Sequence, residues 1–502
     1  VKRNLFSLSH KVNLSCDQGE LIPIGLVEVL PGDIFRHGTS LLIRLAPMLA
    51  PIFSQLNVTV FQFYVPTRIV WDDFEKFITG GPDGDDASVH PYITFASGVA
   101  VGSLGDYFGI PPGVNDVGGT GASGGVSAIP FRMYAKIFNE WIRDEDLDTE
   151  LVVSTASGQD TTTNTTLQNI RWEKDYFTSA RPFEQKGPAV TIPVGNMAPI
   201  VGIGTQGSTG GTPITVDETD NPTVTYDFYR RAGVSTNGTI VVQSDEANGV
   251  PKIYADLSAV TGIPVTELRL ANAIQRFMEL SSHRGSRYVE YLLSRFGVRS
   301  SDARLQRPEL LSRSKQVVQI SEVLATAEGT NTDVGDLKGH GIGAMRSNRY
   351  MRMFEEHGYV MTLMAVQPKT FYPQGLHRTW SRRDKYDYFQ PETQFIGDQE
   401  VLNKEIYAGA TVPGGTFGWA PRYDEYRGMF NRIAGEFRTS TLDFWHQARI
   451  FSSEPALNAA FVTSNPTERI FAVPSQDVLY VTASHSLQAR RVIARAGTPF
   501  LR

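Results

Sequence analysis

Residues 55–78, QLNVTVFQFYVPTRIVWDDFEKFI, restrict the possible folds of this chain more than any other stretch. Leu56, Val58 and Val60 fall on one side of an extended backbone, and Asn57, Thr59, Phe61, Phe63 and Val65 on the other. Two-residue alternation rich in β-branched and aromatic side chains is the pattern of a strand. Pro66 has no N–H for a ladder, so pairing ends there, and Trp71, Phe74, Phe77 and Ile78 recur at helical spacing until Gly80-Gly81-Pro82. A strand apolar on both faces needs cover on both, which points to the interior of a sandwich or barrel rather than to a one-sided sheet.

A length of 502 residues admits two or three ordinary domains, or one β-domain enlarged by insertions. The net charge of −6 argues against a chain whose main task is coating nucleic acid, because phosphate neutralisation needs a local cationic surplus. Cys16 is the single cysteine, which excludes an internal disulfide framework and fits folding in a reducing compartment. The first residues lack the apolar core of a signal peptide and no run is fit to span a bilayer, so the expectation is a soluble chain, cytoplasmic at synthesis. The glycosylation patterns at Asn57, Asn164 and Asn237 then read as chance.

Strands are expected near residues 21–30 and 41–45, across a Pro31-Gly32-Asp33 turn, and at 187–194, 316–324, 359–366 and 478–487. Phe131, Tyr134, Ile137, Phe138 and Trp141 predict an amphipathic helix. So do Leu270, Ile274, Phe277, Met278 and Ser281, with Thr266 as cap, continued by Tyr288, Leu292 and Phe296 to Gly297. Residues 80–128 and the glycine-rich run up to Gly343 read as loop. Residues 195–262, rich in Gly, Thr, Val and Asn, read as a small β-rich surface excursion. Widely spaced strands joined by long loops fit a jelly roll with large insertions, and lack the regular strand–helix alternation of a parallel α/β fold.

Chemistry is sparse. His37, His283, His340, His357, His377 and His446 sit in no metal-ligand spacing, no GxSxG elbow occurs, and Asp72-Asp73 and Glu355-Glu356 point apart. Acidic residues 144–150 lack the glycine of a calcium loop, and the fingerprint Gly202-Ile203-Gly204-Thr205-Gln206-Gly207 has no helix after it. No catalytic residue, metal site or cofactor is expected. Two places do interleave cations with rings or gather arginines: Arg378, Trp380, Arg382, Arg383 and Lys385 with Tyr386, Tyr388 and Phe389, and the C-terminal Arg490, Arg491 and Arg495. Cations hold phosphates and rings stack on unpaired bases, the combination used for single-stranded nucleic acid; the alternative is that these arginines pair with carboxylates of this or a neighbouring subunit.

Several stretches resemble the major capsid proteins of microviruses, small single-stranded DNA bacteriophages (Microviridae), specifically the gokushovirus branch. They are IPIGLVEVLPGDIFRHGTS at 22–40, VPTRIVWDDFEKFITGG at 65–81, DYFTSARPFEQKGPAVTIP at 175–193 and HRGSRYVEYLLSRFGVRSSDARLQRPELL at 283–311. EHGYVMTLMAVQPKTFYPQGLHRTWSRRDKYDY at 356–388, VLNKEIYAG at 401–409, FSSEPALNAAFV at 451–462 and the pair Trp445-His446 follow in the same order. The resemblance implies a mainly β fold, an eight-stranded antiparallel jelly roll with long insertion loops and several helices, spanning residues 1–502 as one domain.

It further implies a structural protein of the virion, assembled in the bacterial host cytoplasm from identical subunits into a T=1 icosahedral shell around circular single-stranded DNA. Its other partners would be a small basic DNA-packaging protein, a DNA pilot protein, an internal scaffolding protein and a host surface receptor, with no membrane insertion. By position alone, residues 195–262 match a variable protrusion at the three-fold axis used for host attachment, which nominates Tyr226, Phe228 and Tyr229. A glycan-binding jelly roll would share the fold and differ in assembly state; a cupin-like enzyme would bind metal.

Overall fold

The computed structural model describes residues 3–119, 124–190, 265–285, 287–324, 326 and 335–495, with short strands between 200 and 255 described by their backbone. These residues separate into two units, 1–184 with 284–502, and 185–283.

In the larger unit the opening strand is β5 (Leu56–Pro66), preceded by β1 (Asn4–Ser7), β2 (His10–Cys16), β3 (Ile22–Val29) and β4 (Ile34–Leu45). After it come β6 (Glu309–Val317), β7 (Gln319–Leu324), β8 (Leu337–Arg346), β9 (Tyr350–Met353), β10 (Gly358–Pro368), β11 (Asp398–Leu402), β12 (Thr416–Pro421) and β13 (Leu479–Arg491). One sheet runs β6-β5-β10-β3 and the other β1-β13-β4-β8-β7, with β2 also on β13 and β9 also on β4. All the pairings are antiparallel.

Every residue of β5 is buried, and its two faces go to different cores. Leu56, Val58 and Val60 pack between the sheets with Ile22, Ile43, Met364 and Val481. Phe61, Phe63 and Val65 instead meet Trp71 and the helix α2 (Ile129–Ile137), through Phe131, Tyr134 and Ile137. The double cover the alternation demands is thus a sheet on one side and a helical layer on the other. The short helix α1 (Phe74–Thr79) ends where Gly80 turns left-handed at φ 84°, its N–H closing on Lys76.

Several expectations move. The strand placed at 316–324 is two strands, β6 and β7, in different sheets; Val318 between them donates to Leu56 O at 2.9 Å. Over 187–190 no strand forms, and 191–194 lie outside the described residues. β1, β2, β9, β11 and β12 were not anticipated, although Val12, Leu14 and Cys16 of β2 alternate inward between exposed Lys11, Asn13 and Ser15. The helix expected at 131–141 is α2 followed by a π-helical turn, Phe138–Ile142. In the smaller unit, α3 (Val265–Arg284) starts before Thr266, which therefore lies inside the first turn rather than at the cap. α4 (Tyr288–Phe296) stops at left-handed Gly297, φ 67°, as its sequence predicts.

The run read as a glycine-rich loop up to Gly343 includes a strand, β8, because its glycines alternate. Gly339, Gly341 and Gly343 point inward, where a Cβ on Gly339 would strike the Ala50 carbonyl, one on Gly341 the Leu45 side chain, and one on Gly343 would sit 3.2 Å from Val318. They are there for close approach, not for flexibility. Gly339→Ala is expected to lower the free energy of unfolding by about 1–3 kcal/mol, because the backbone carbonyl it meets must shift. Urea denaturation measures this; an unchanged midpoint would mean the sheet yields without cost.

Candidate functional site

The loop between β10 and β11 carries the first cation–aromatic cluster, and the structure divides it. Arg378 opens a 3₁₀ turn and reaches back into the protein, to Glu400 O at 2.6 Å and Glu405 Oε1 at 3.0 Å. Burial pushes the Glu405 carboxyl up, opposed by Arg378, the Leu402 N–H and the Tyr176 hydroxyl, which donates at 2.9 Å. Arg382 lies 3.6 Å from Glu425, with its guanidinium over the rings of Tyr388 and Tyr426 at 5.2 and 4.6 Å. Glu425 also accepts from Gln399 at 2.7 Å. Both arginines are therefore committed to carboxylates of their own chain, the alternative their sequence setting left open.

Arg383 and Lys385 remain exposed, beside Trp380 at 71% exposure and Tyr386 at 55%. Arg383 donates to its neighbours' carbonyls, Arg382 O at 2.8 Å and Trp380 O at 3.4 Å, and Lys385 Nζ lies 4.9 Å from the centre of the Tyr386 ring. The loop is shaped by Asp387, which accepts from the Asp384 and Arg383 N–H groups at 2.9 and 2.7 Å; those bonds hold its carboxyl below the usual range. The accessible chemistry is thus ring faces with two cations, moderated by nearby acids.

The C-terminal arginines also part. Arg491 turns inward to Asp33 at 2.9 Å and to Glu28 O, over the Phe35 ring. Arg490 and Arg495 stay exposed. Tyr226 and Phe228 lie outside the described residues, and Tyr229 stands in a strand, Tyr229–Arg231, described by its backbone alone.

Sequence reasoning missed a histidine cluster between the sheets. His37 Nε2 lies 3.2 Å from His485 Nδ1, His485 Nε2 lies 2.8 Å from Ile24 O, and His10 stacks on His485 at 4.6 Å. His485 is an inward position of a strand that was anticipated, so its alternation was the available signal. Among the described residues no group of three or more His, Cys, Asp or Glu side chains is placed to hold a metal ion. A cleft of about 1010 Å³ is lined by Tyr64, Arg68, Trp141, Arg287, Glu309 and Glu356. Its main charges are matched within the chain: Arg68 to Glu356 and Arg352 to Glu309, each at 2.5 Å.

The larger unit is two packed antiparallel sheets joined by long connections, with Arg378, Arg382 and Arg491 paired to carboxylates of their own chain. The family model for phage capsid protein (F protein) matches residues 1–501. Capsid protein VP1 of Bdellovibrio phage phiMH2K is 36% identical, the match covering 91% of this chain and 87% of the relative. Capsid protein VP1 of Chlamydia phage 1 is 32% identical over 95% and 92%, and that of Spiroplasma virus 4 is 32% identical over 95% and 91%. The chain belongs to the phage capsid protein (F protein) family and is a gokushovirus-like major capsid protein, structural rather than enzymatic. Membership implies assembly of copies into a capsid, and so a place in the virion. No described helix is long and apolar enough to cross a membrane.

Proposed function

We propose that this chain folds as an eight-stranded jelly roll and that identical copies close into a T=1 icosahedral shell around circular single-stranded DNA, assembled in the host cytoplasm. The observation that carries the reading is the way the strands alternate between sheets. β2, β4, β8 and β13 lie in one path, β2-β13-β4-β8, while β3, β5, β6 and β10 lie in the other, β3-β10-β5-β6. That interleaving is what two nested Greek keys produce.

Large side chains left in solvent support contact between copies: Met429 and Phe395 are each 86% exposed and Phe53 71%. Closed shells need complementary patches of this kind. With a net charge of −6, most phosphates would be neutralised by the small basic packaging protein; the pilot and internal scaffolding proteins are the further partners of this reading. Residues 195–262 are read as the three-fold protrusion that meets a host receptor, with Tyr226, Phe228 and Tyr229 as its candidates; that 185–283 form a unit of their own is consistent with an insertion.

Electron microscopy of the purified protein tests the assembly: closed isometric particles are expected, and monomers alone would end the reading. For the loop, Arg383→Glu with Lys385→Glu is expected to reduce DNA per particle, since these are the two exposed cations of its cation–aromatic cluster; Arg378 and Arg382, also nominated from sequence, are held by Glu405 and Glu425. Unchanged DNA content would remove the loop from the nucleic-acid interface.

A further inference from the structure

The β1-β13-β4-β8-β7 sheet has one face in the core and, among the described residues, one exposed face, and the register shows what stands on that face. Arg44 is paired with Tyr480 and Ile342, Leu42 with Thr482 and Ala344, Ser40 with Ser484 and Arg346, and Arg36 with Gln488. On the neighbouring strands Lys11 lies opposite Ser484, Leu5 opposite Arg490 and Met351 opposite Arg36. Directly paired residues share a face, so these side chains form one surface. Lys11, Arg36, Arg44, Arg346 and Arg490 are all exposed. Arg349, at the turn before β9, joins them by lying over Gly38, its Cγ 2.7 Å from where a Cβ would be.

None of these six cations has an ion pair or hydrogen bond with a described side chain, and no position of this face on the strands β1, β2, β4, β7, β8, β9 or β13 is Asp or Glu. In a chain with six more acids than bases this is a marked segregation of charge. Between the cations stand Ser, Thr, Asn and Gln hydroxyls and amides together with the exposed apolar side chains of Leu5, Leu42, Ile342 and Met351, and Tyr480, 45% exposed, is a ring at the start of β13. Arg36 and Arg44 are eight positions apart on one strand, about 26 Å at the usual rise, and the strands are about 4.8 Å apart. The surface is an open sheet face long enough for several nucleotides, with phosphate-binding groups spread over it rather than a pocket for one anion.

We infer that this sheet face binds the sugar–phosphate backbone of single-stranded DNA, without sequence preference. The inference rests on the reading of the chain as a shell around DNA, and extends it from the β10–β11 loop to a second surface; only Arg490 of the six was nominated from sequence. Backbone contact by cations releases counterions, so binding weakens with salt; six phosphate contacts to a single strand give a logarithmic slope of about −4. Tyr480 adds one stacking platform.

The test uses the full-length protein with a fluorescent oligothymidylate, titrated at several salt concentrations. Arg36→Gln, Arg44→Gln and Arg346→Gln together are expected to weaken binding on the order of tenfold or more at low salt and to reduce the slope by about 2. The same three positions changed to Lys keep both, which separates charge from packing, and far-UV circular dichroism with urea midpoints shows that each variant folds. Equal affinity and slope for the Gln variant and the native protein would overturn the inference, as would preferred binding to anionic phospholipid vesicles over the oligonucleotide. If the Gln variant loses affinity while native particles contain no DNA, the face stands and the shell-around-DNA reading falls. If native particles package DNA and the Gln variant matches them in affinity and content, the reading stands and the face falls.

Discussion

Replacing Arg132 by alanine is expected to lower the free energy of unfolding by about 3–5 kcal/mol, the range for removing one partner of a buried ion pair. Arg132 is fully buried, with its Nε 2.7 Å from Asp160 Oδ2 and side-chain exposures of 1% and 0% for the two residues. Its other nitrogens donate to Val70 O at 3.1 Å, Ala156 O at 2.8 Å and Ser154 Oγ at 3.4 Å. One guanidinium on α2 thereby joins the turn after β5 to residues 154–160. Burial pushes the Asp160 carboxyl up, but the Thr163 hydroxyl and N–H, then Arg132 and the Thr162 N–H, outweigh it and hold the carboxyl below its usual range.

Without Arg132 that carboxylate loses its counter-charge, and two backbone carbonyls lose their donor. Urea denaturation of the variant measures the loss. Changing Arg132→Met together with Asp160→Leu is expected to recover only part of it: no uncompensated charge remains, but the Thr162 and Thr163 N–H groups lose their acceptor and the Val70 and Ala156 carbonyls still lack their donor. A loss below about 1 kcal/mol for Arg132→Ala would show that the helical layer does not depend on this tie.

The second large effect is acid sensitivity from the histidines between the sheets. Burial, then the neighbouring histidines, lower His37 to about 3; burial also lowers His485 to about 4, against the Ile24 carbonyl, which raises it. The bonding explains why both are neutral. His485 Nε2–H donates to Ile24 O, so its Nδ1 accepts from His37 Nε2–H and from the Thr39 hydroxyl at 3.1 Å. His37 Nδ1 then accepts from Gln62 Nε2 at 3.4 Å and the Tyr350 hydroxyl at 3.3 Å. These tautomers satisfy every ring nitrogen, and an added proton would set donor against donor.

A histidine lowered on folding contributes stability that is complete above its unfolded value near 6.5 and is lost as pH falls toward the folded value. Here the window runs from about 6.5 down to about 4 for His485 and about 3 for His37. Within it each histidine loses about 1.4 kcal/mol per pH unit. Buried carboxyls pushed up by desolvation, such as Glu405 and Asp33, act in the opposite direction. The measurement is therefore the difference in urea midpoint between the native protein and a His37→Gln, His485→Gln variant, across pH 8 to 4. The native protein is expected to fall more steeply below pH 6.5; parallel curves would mean the histidines titrate freely.

How far the sequence could be read depends on how local each signal is. Strands β3, β5, β10 and β13 and helices α2 and α4 were legible because burial of alternate or helically spaced side chains is written into neighbouring residues. β8 was misread because its inward glycines answer to Ala50 and Leu45, far away in the chain. The arginines were legible as cations but not as partners: Arg378 and Arg382 meet Glu405 and Glu425, residues brought beside them by folding. The plate of cations on the large sheet was not legible, since Lys11, Arg36, Arg346 and Arg490 come together through strand pairing between segments hundreds of residues apart.

By itself, then, the chain's sequence determined its family, its β character and the double cover that β5 requires, because each depends on residue order or on alternation within a few residues. Tertiary structure alone decided which layer covers each face, which arginines are neutralised and which surface keeps its positive charge. Those outcomes depend on which distant segments pair and in what register, and a shift of one residue sends every side chain of a strand to the opposite face.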